Sequence, residues 1–105
     1  MSQPEHYYAV IFTSSLGDYH EGYQEMAQQM EALARQQPGF LGFESARDEM
    51  GITVSYWETL EAIAQWKTQT DHLVAQQKGR TQWYQWYKVR ICKVEREYDF
   101  TQKTS

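Results

Sequence analysis

Four strand-like runs and two helix-like ones, in the order β-α-β-β-α-β, predict an α+β protein of ferredoxin-like topology, with helices covering one face of an antiparallel sheet. Three observations carry this. Aromatic and β-branched residues crowd His6 to Thr13; Gln- and Glu-rich segments place apolar residues every three or four positions; and two strand-like runs stand back to back around Asp48–Gly51. A final strand too long for its own sheet extends the prediction to a dimer.

His6–Thr13, bounded by Ser14, Ser15 and Gly17, reads as the first strand. From Tyr19 to Gln37 the apolar residues Tyr23, Met26, Met30 and Leu33 recur at steps of three and four, which predicts an amphipathic helix with Asp18 as its N-cap. Pro38-Gly39 stops that helix, and Phe40–Arg47 follows as the second strand. The tight Asp48–Gly51 connection leads into Ile52–Trp57, where Ile52, Val54 and Tyr56 share one face of a hairpin strand. Thr59 is placed to cap a second helix, Leu60 to about Lys67, with Ile63 and Trp66 on one side. The polar stretch Thr68–Asp71 offers new capping residues, which predicts a break before a short helix from His72 to Lys78 ending at Gly79.

The last element runs from Trp83 to about Phe100 without Gly or Pro. At ~3.3 Å per residue it would span more than about 50 Å, whereas a compact domain of this size is roughly 34 Å across. Its apolar residues also change parity, from Trp83, Tyr87, Val89 and Ile91 to Cys92, Val94, Tyr98 and Phe100, as a bulge or a change of packing partner requires. The second half is therefore expected to pair with another chain. Two sheets packed face to face through exchanged C-terminal strands make a homodimeric α/β barrel.

The 105 residues form one expected domain, 1–105, with a core from about 6 to 100 and loose ends at the first and last five residues. Fourteen acidic residues against ten basic ones give a net charge of −4, the wrong sign for a protein that binds phosphate backbones, so nucleic acid is not an expected partner. The apolar run Ala9–Phe12 is too short for a signal peptide or a membrane span, which points to a soluble, cytoplasmic protein with no membrane partner. With Cys92 alone there is neither an internal disulfide nor a thiolate metal cluster, and no metal is expected. The 15% aromatic content suits a core, an interface or the wall of a pocket for a flat ligand.

No phosphate loop, nucleophile elbow or closely spaced His pair is present. His6 and His20 read as solvated residues. His72 stands out because it follows Trp66 by six residues beside the predicted helix break. Core packing is the plainer explanation of Trp57 and Trp66. Arg80, Arg90 and Arg96 could orient an anionic or phenolic ligand, with cross-strand pairing the plainer role for Arg96.

The string Pro38-Gly-Phe-Leu-Gly-Phe-Glu-Ser45, then Ser55-Tyr56-Trp57, Ala62-Ile63, Trp66, His72–Gln76, Gly79-Arg80, Trp83-Tyr84 and the terminal Val94–Phe100 resembles the antibiotic biosynthesis monooxygenase domain family over about residues 6–100. The resemblance implies a dimeric α/β barrel with a pocket between the sheet and the helices. It also implies a chemistry, the oxidation of an electron-rich aromatic or phenolic small molecule by O2 without metal or flavin, because the substrate anion itself reduces oxygen. On this reading Trp66 and His72 are the catalytic candidates, His72 as proton acceptor because an unperturbed imidazole titrates near working pH. Tyr56, Trp57 and Ile63 are the substrate-binding candidates, and no cofactor is expected. The alternatives are a haem-binding or haem-degrading protein and a dimeric small-molecule binding module without turnover. Against haem, Gln76 stands where the haem-degrading branch of the resemblance places the iron-ligating histidine.

Overall fold

Strands β1 (Tyr7–Leu16), β2 (Phe40–Arg47), β3 (Gly51–Trp57) and β4 (Tyr84–Val94) and helices α1 (Tyr23–Arg35) and α2 (Leu60–Gln76) follow one another as β1-α1-β2-β3-α2-β4 in a computed structural model that describes residues 6–76 and 83–103. The strands form one antiparallel sheet in the order β2-β3-β1-β4, the predicted α+β ferredoxin-like arrangement. Gly79, Arg80 and the terminal residues 1–5, 104 and 105 lie outside the described residues.

Directly opposed residues on antiparallel strands share a face, and the register therefore sorts every side chain. Tyr8 opposes Trp57, Val10 opposes Ser55 and Ile91, Phe12 opposes Thr53 and Val89, and Ser14 opposes Gly51 and Tyr87. This is the helix-covered face, because Val10 and Trp57 pack with Ala34 of α1 and with Ala62 and Ile63 of α2 in one buried cluster. Ile11, Val54, Ile52, Tyr56, Trp86, Cys92 and Val94 point the other way by the same alternation. The trio Ile52, Val54 and Tyr56 does share one face, and it is the face without helices.

Four local expectations are corrected. Asp18 does not cap α1; the helix begins after Gly22, which takes the left-handed conformation at φ 86°, with the Trp83 indole donating to the Glu21 carbonyl alongside at 2.9 Å. The second helix does not break at Thr68–Asp71. The hydroxyls of Thr68 and Thr70 donate back to the carbonyls of Ala64 and Lys67, and Lys67 pairs with Asp71 at 3.0 Å, so the polar residues bridge the helix instead of ending it. No bulge accompanies the change of parity at Ile91–Cys92; the ladder stays in register there and slips instead at Ser15/Leu16, near the start of β4, so the apolar residues pass from the helix side (Tyr87, Val89, Ile91) to the other face (Cys92, Val94). Finally, the ladder ends at Tyr7–Val94 because β1 begins there, and residues 95–103 make no strand pairing within the chain.

Thr59 caps α2 as expected, its hydroxyl accepting from Ala62 N–H at 3.0 Å. Gly39 lets the start of α2 come close to β2: its φ is 85°, and a Cβ there would meet Ala62 Cβ at 2.8 Å. Gly39→Ala is expected to cost about 2 kcal/mol from the left-handed backbone alone, more with the clash. A urea midpoint equal to that of the parent would refute this.

Candidate functional site

Trp57 ends β3 fully buried, at 0% exposure. Its indole N–H donates to Ser55 Oγ two residues back on the same strand face, at 2.8 Å, and Ser55 is 1% exposed. The edge of Phe40 meets the Trp57 ring at 5.5 Å, and the Trp66 ring of α2 stacks on it with centroids 5.0 Å apart and planes 29° from parallel. Ile63 lies one turn before Trp66 and packs into the same cluster, with half-buried Tyr8 alongside. Trp66 Nε1 is itself buried and, among the described residues, has no hydrogen-bond partner. A buried donor left in this state costs about 1–3 kcal/mol, so an acceptor brought by a ligand would recover real free energy.

One strand from this stack the cover stops. Val10 of the cluster is paired with Ile91 of β4, and Ile91, Val89 and Tyr87 on the helix side are 54%, 47% and 60% exposed. The rings of Phe12 and Tyr84 meet Tyr87 at 5.3 and 5.5 Å.

The structure thus brings Trp57, Trp66 and Ile63 together and sets two other sequence candidates apart. Tyr56 lies on the face without helices, where its hydroxyl donates to Glu44 at 2.8 Å and its ring meets Tyr7 edge-on at 6.1 Å. The hydrogen bond to Glu44, with partial burial, raises the Tyr56 phenol above its ordinary value. Tyr7 donates to Glu97 of the C-terminal segment, and that bond, aided by burial, pushes the Tyr7 phenol up to about 12. His72 sits exposed on α2. Six residues from Trp66 place it about 9 Å along the axis and about 120° around it.

Sequence reasoning missed Ser55 and Arg47. The signal for Ser55 was the parity of Trp57, since residues two apart on a strand share a face. Arg47 reaches across β3, where its guanidinium would overlap a Cβ at Gly51, to donate to buried Ser14 Oγ while lying over the Tyr23 ring at 5.3 Å. It borders a cleft of about 340 Å³ with Leu16, His20, Tyr23 and Glu49, which none of the sequence candidates line. Behind Tyr23, burial and the Tyr23 hydroxyl push the Tyr84 phenol up, with Arg47 pulling it the other way.

Among the described residues no three His, Cys, Asp or Glu side chains come together as a metal site. None of the three histidines joins the Trp57–Trp66 cluster: His6 and His72 are exposed, and His20 bonds the Gly17 carbonyl. The cluster itself therefore offers no axial histidine to a haem. Among the described residues no helix is long and apolar enough to cross a membrane.

Residues 7–78 match the family model described as antibiotic biosynthesis monooxygenase. YqjZ of Bacillus subtilis (strain 168), an uncharacterized protein, is 50% identical over 101 residues, 94% of this chain and 89% of that protein. A point variant of SnoaB, a cofactor-independent oxygenase from Streptomyces nogalater, superimposes with a TM-score of 0.64 at 12% identity, over 97% of each chain. A point variant of MhuD, with two manganese protoporphyrin IX bound per active site, does so with a TM-score of 0.66 at 17% identity, over 89% of this chain and 99% of that one. At those identities the two structures establish a common fold.

Proposed function

The chain belongs to the antibiotic biosynthesis monooxygenase family, and from that premise we propose that it oxidises an electron-rich aromatic or phenolic small molecule with O2, using no metal, flavin or haem. The observation that carries the reading is the buried Trp66 N–H, unpartnered among the described residues within the aromatic cluster. A flat substrate lies against Ile91 and Val89, backed by Ile63 and the Trp57–Trp66 stack, and its oxygen takes the buried Trp66 N–H as the Trp66 ring turns to meet it. That hydrogen bond strengthens as negative charge develops on the oxygen, which is where stabilisation lowers a barrier. His72, on the solvent side of the same helix, takes the phenolic proton through water. The substrate anion then reduces O2. For a hydroxylated anthrone, the ring CH2 becomes a carbonyl with one oxygen atom, the other atom leaves as water, and the four electrons come from the substrate. Tyr56, on the opposite face of the sheet, has no part in this chemistry.

A second copy covers the face without helices. Exposed Ile52, Trp86 and Cys92 lie on it, and Tyr98 and Phe100 beyond the ladder are 83% and 86% exposed, more apolar surface than a lone small chain ordinarily leaves to water.

Oxygen uptake with a hydroxylated anthrone, on protein of measured metal content, tests the reading. Trp66→Phe is expected to lower kcat/KM by about 10-fold or more through loss of the N–H. His72→Ala should lower kcat by about 10²-fold, the low end for a lost base, with KM unchanged. No uptake by the parent protein would refute the activity, and full activity in His72→Ala would remove that residue from the mechanism. A sharp, saturable Soret shift on adding hemin, lost in His72→Ala, would put haem first.

A further inference from the structure

We propose that Ser55 is a positioning residue: its hydroxyl holds the Trp57 indole in the orientation against which Trp66 stacks, and so keeps the Trp66 N–H free for an oxygen on a flat aromatic ligand. The proposal deepens, and rests on, the reading of Trp66 as the substrate contact. Two indole N–H donors sit in this stack, and the buried Ser55 Oγ is committed to one of them, that of Trp57, at 2.8 Å. Trp66 Nε1 is left as the orphan. Phe40 meets the Trp57 ring nearly at right angles, at 79°, so the ring is fixed by a hydrogen bond at its rim and an edge contact on its face.

Removing the hydroxyl would leave the N–H of fully buried Trp57 unpartnered as well, a second orphan beside that of Trp66. Relief would come by turning the Trp57 ring, and with 5.0 Å between ring centroids the Trp66 ring cannot stay where it is. Ser55 never touches the ligand; it acts through two aromatic rings, and what it controls is the direction of the Trp66 donor.

Two ligands of similar shape read that direction. 1-Hydroxyanthraquinone carries oxygen acceptors and resists further oxidation, whereas anthracene offers the ring alone. Tryptophan fluorescence titration of the whole protein gives the ratio of their affinities. The parent ratio is expected to exceed that of Trp66→Phe by about 10-fold. Ser55→Ala should fall to the Trp66→Phe ratio and lose the near-ultraviolet dichroism of the stacked indoles, while Ser55→Thr, which keeps the hydroxyl, should retain both. Ser55→Cys, close in size with a poor acceptor, is measured in parallel and carries the test should the alanine variant not fold. If Ser55→Ala and Ser55→Cys bind both ligands more weakly but in the parent ratio, Ser55 is structural only and the proposal is wrong. If parent and Trp66→Phe show the same ratio, the substrate contact itself is wrong, and the proposal falls with it.

Discussion

Trp57→Ala is expected to lower the melting temperature by roughly 15–35 °C, the largest effect of any single substitution considered for this chain. Truncating a buried indole costs about 3–5 kcal/mol, and each kcal/mol is worth roughly 4–8 °C in a domain of about 100 residues. Trp57 earns the upper part of that range because its neighbours come from four elements. It packs against Phe40 of β2, stacks on Trp66 of α2 and shares a cluster with Val10 of β1 and Ala34 of α1. The change would open a cavity where both helices meet the sheet, and it would leave Ser55 without its donor. Calorimetry decides the matter: a fall of less than about 5 °C would mean that this cluster is not the centre of the core. Tyr56→Ala, on the neighbouring residue but the opposite face, serves as the control and should cost much less in the isolated chain.

Ending the chain after Ile91 is expected to abolish dimer formation. The variant loses Cys92–Val94, which complete the β4 ladder opposite Ala9, Tyr8 and Tyr7, and it loses Glu97, the hydrogen-bond partner of Tyr7. It also loses Tyr98 and Phe100, whose rings the single chain leaves in water. Ending the chain after Val94 separates these effects, because the ladder is kept and only the unpaired segment goes. Light scattering should report one chain for the first variant and a weakened, concentration-dependent dimer for the second. If the Ile91 variant retained the parent mass and melting temperature, exchange of C-terminal strands would be refuted.

The site was partly legible. Trp57, Trp66 and Ile63 were named through the family resemblance, Trp57 at the end of a strand and Ile63 and Trp66 three apart on one helix face, and the structure does join them. Tyr56 was grouped with them because it adjoins Trp57 in sequence, yet adjacency on a strand means opposite faces. His72 was drawn toward Trp66 by an expected helix break, and the break failed because Thr68 and Thr70 satisfy their hydroxyls within the helix. Ser55 entered only as part of the Ser55-Tyr56-Trp57 string and was given no role, since a serine in a strand signals nothing until the buried N–H that it accepts is known.

What the sequence alone determined were the local periods: the β-α-β-β-α-β order, save for the expected split of α2, the Thr59 cap, the stop at Pro38-Gly39 and the bounds of β2, each set by residues a few positions apart. Tertiary structure decided which face of each strand is covered. Strand β3 offers Ile52, Val54 and Tyr56 on one side and Thr53, Ser55 and Trp57 on the other, and by hydrophobicity the first trio has the better claim to the core. The helices dock on the second, because Trp57 buries its whole indole against α2 while Ser55 satisfies its one polar atom. Where β4 runs out of partners was equally a matter of the assembled sheet. A strand ends where its neighbour ends, and the neighbour of β4 is β1, which begins at Tyr7, more than seventy residues away in the chain.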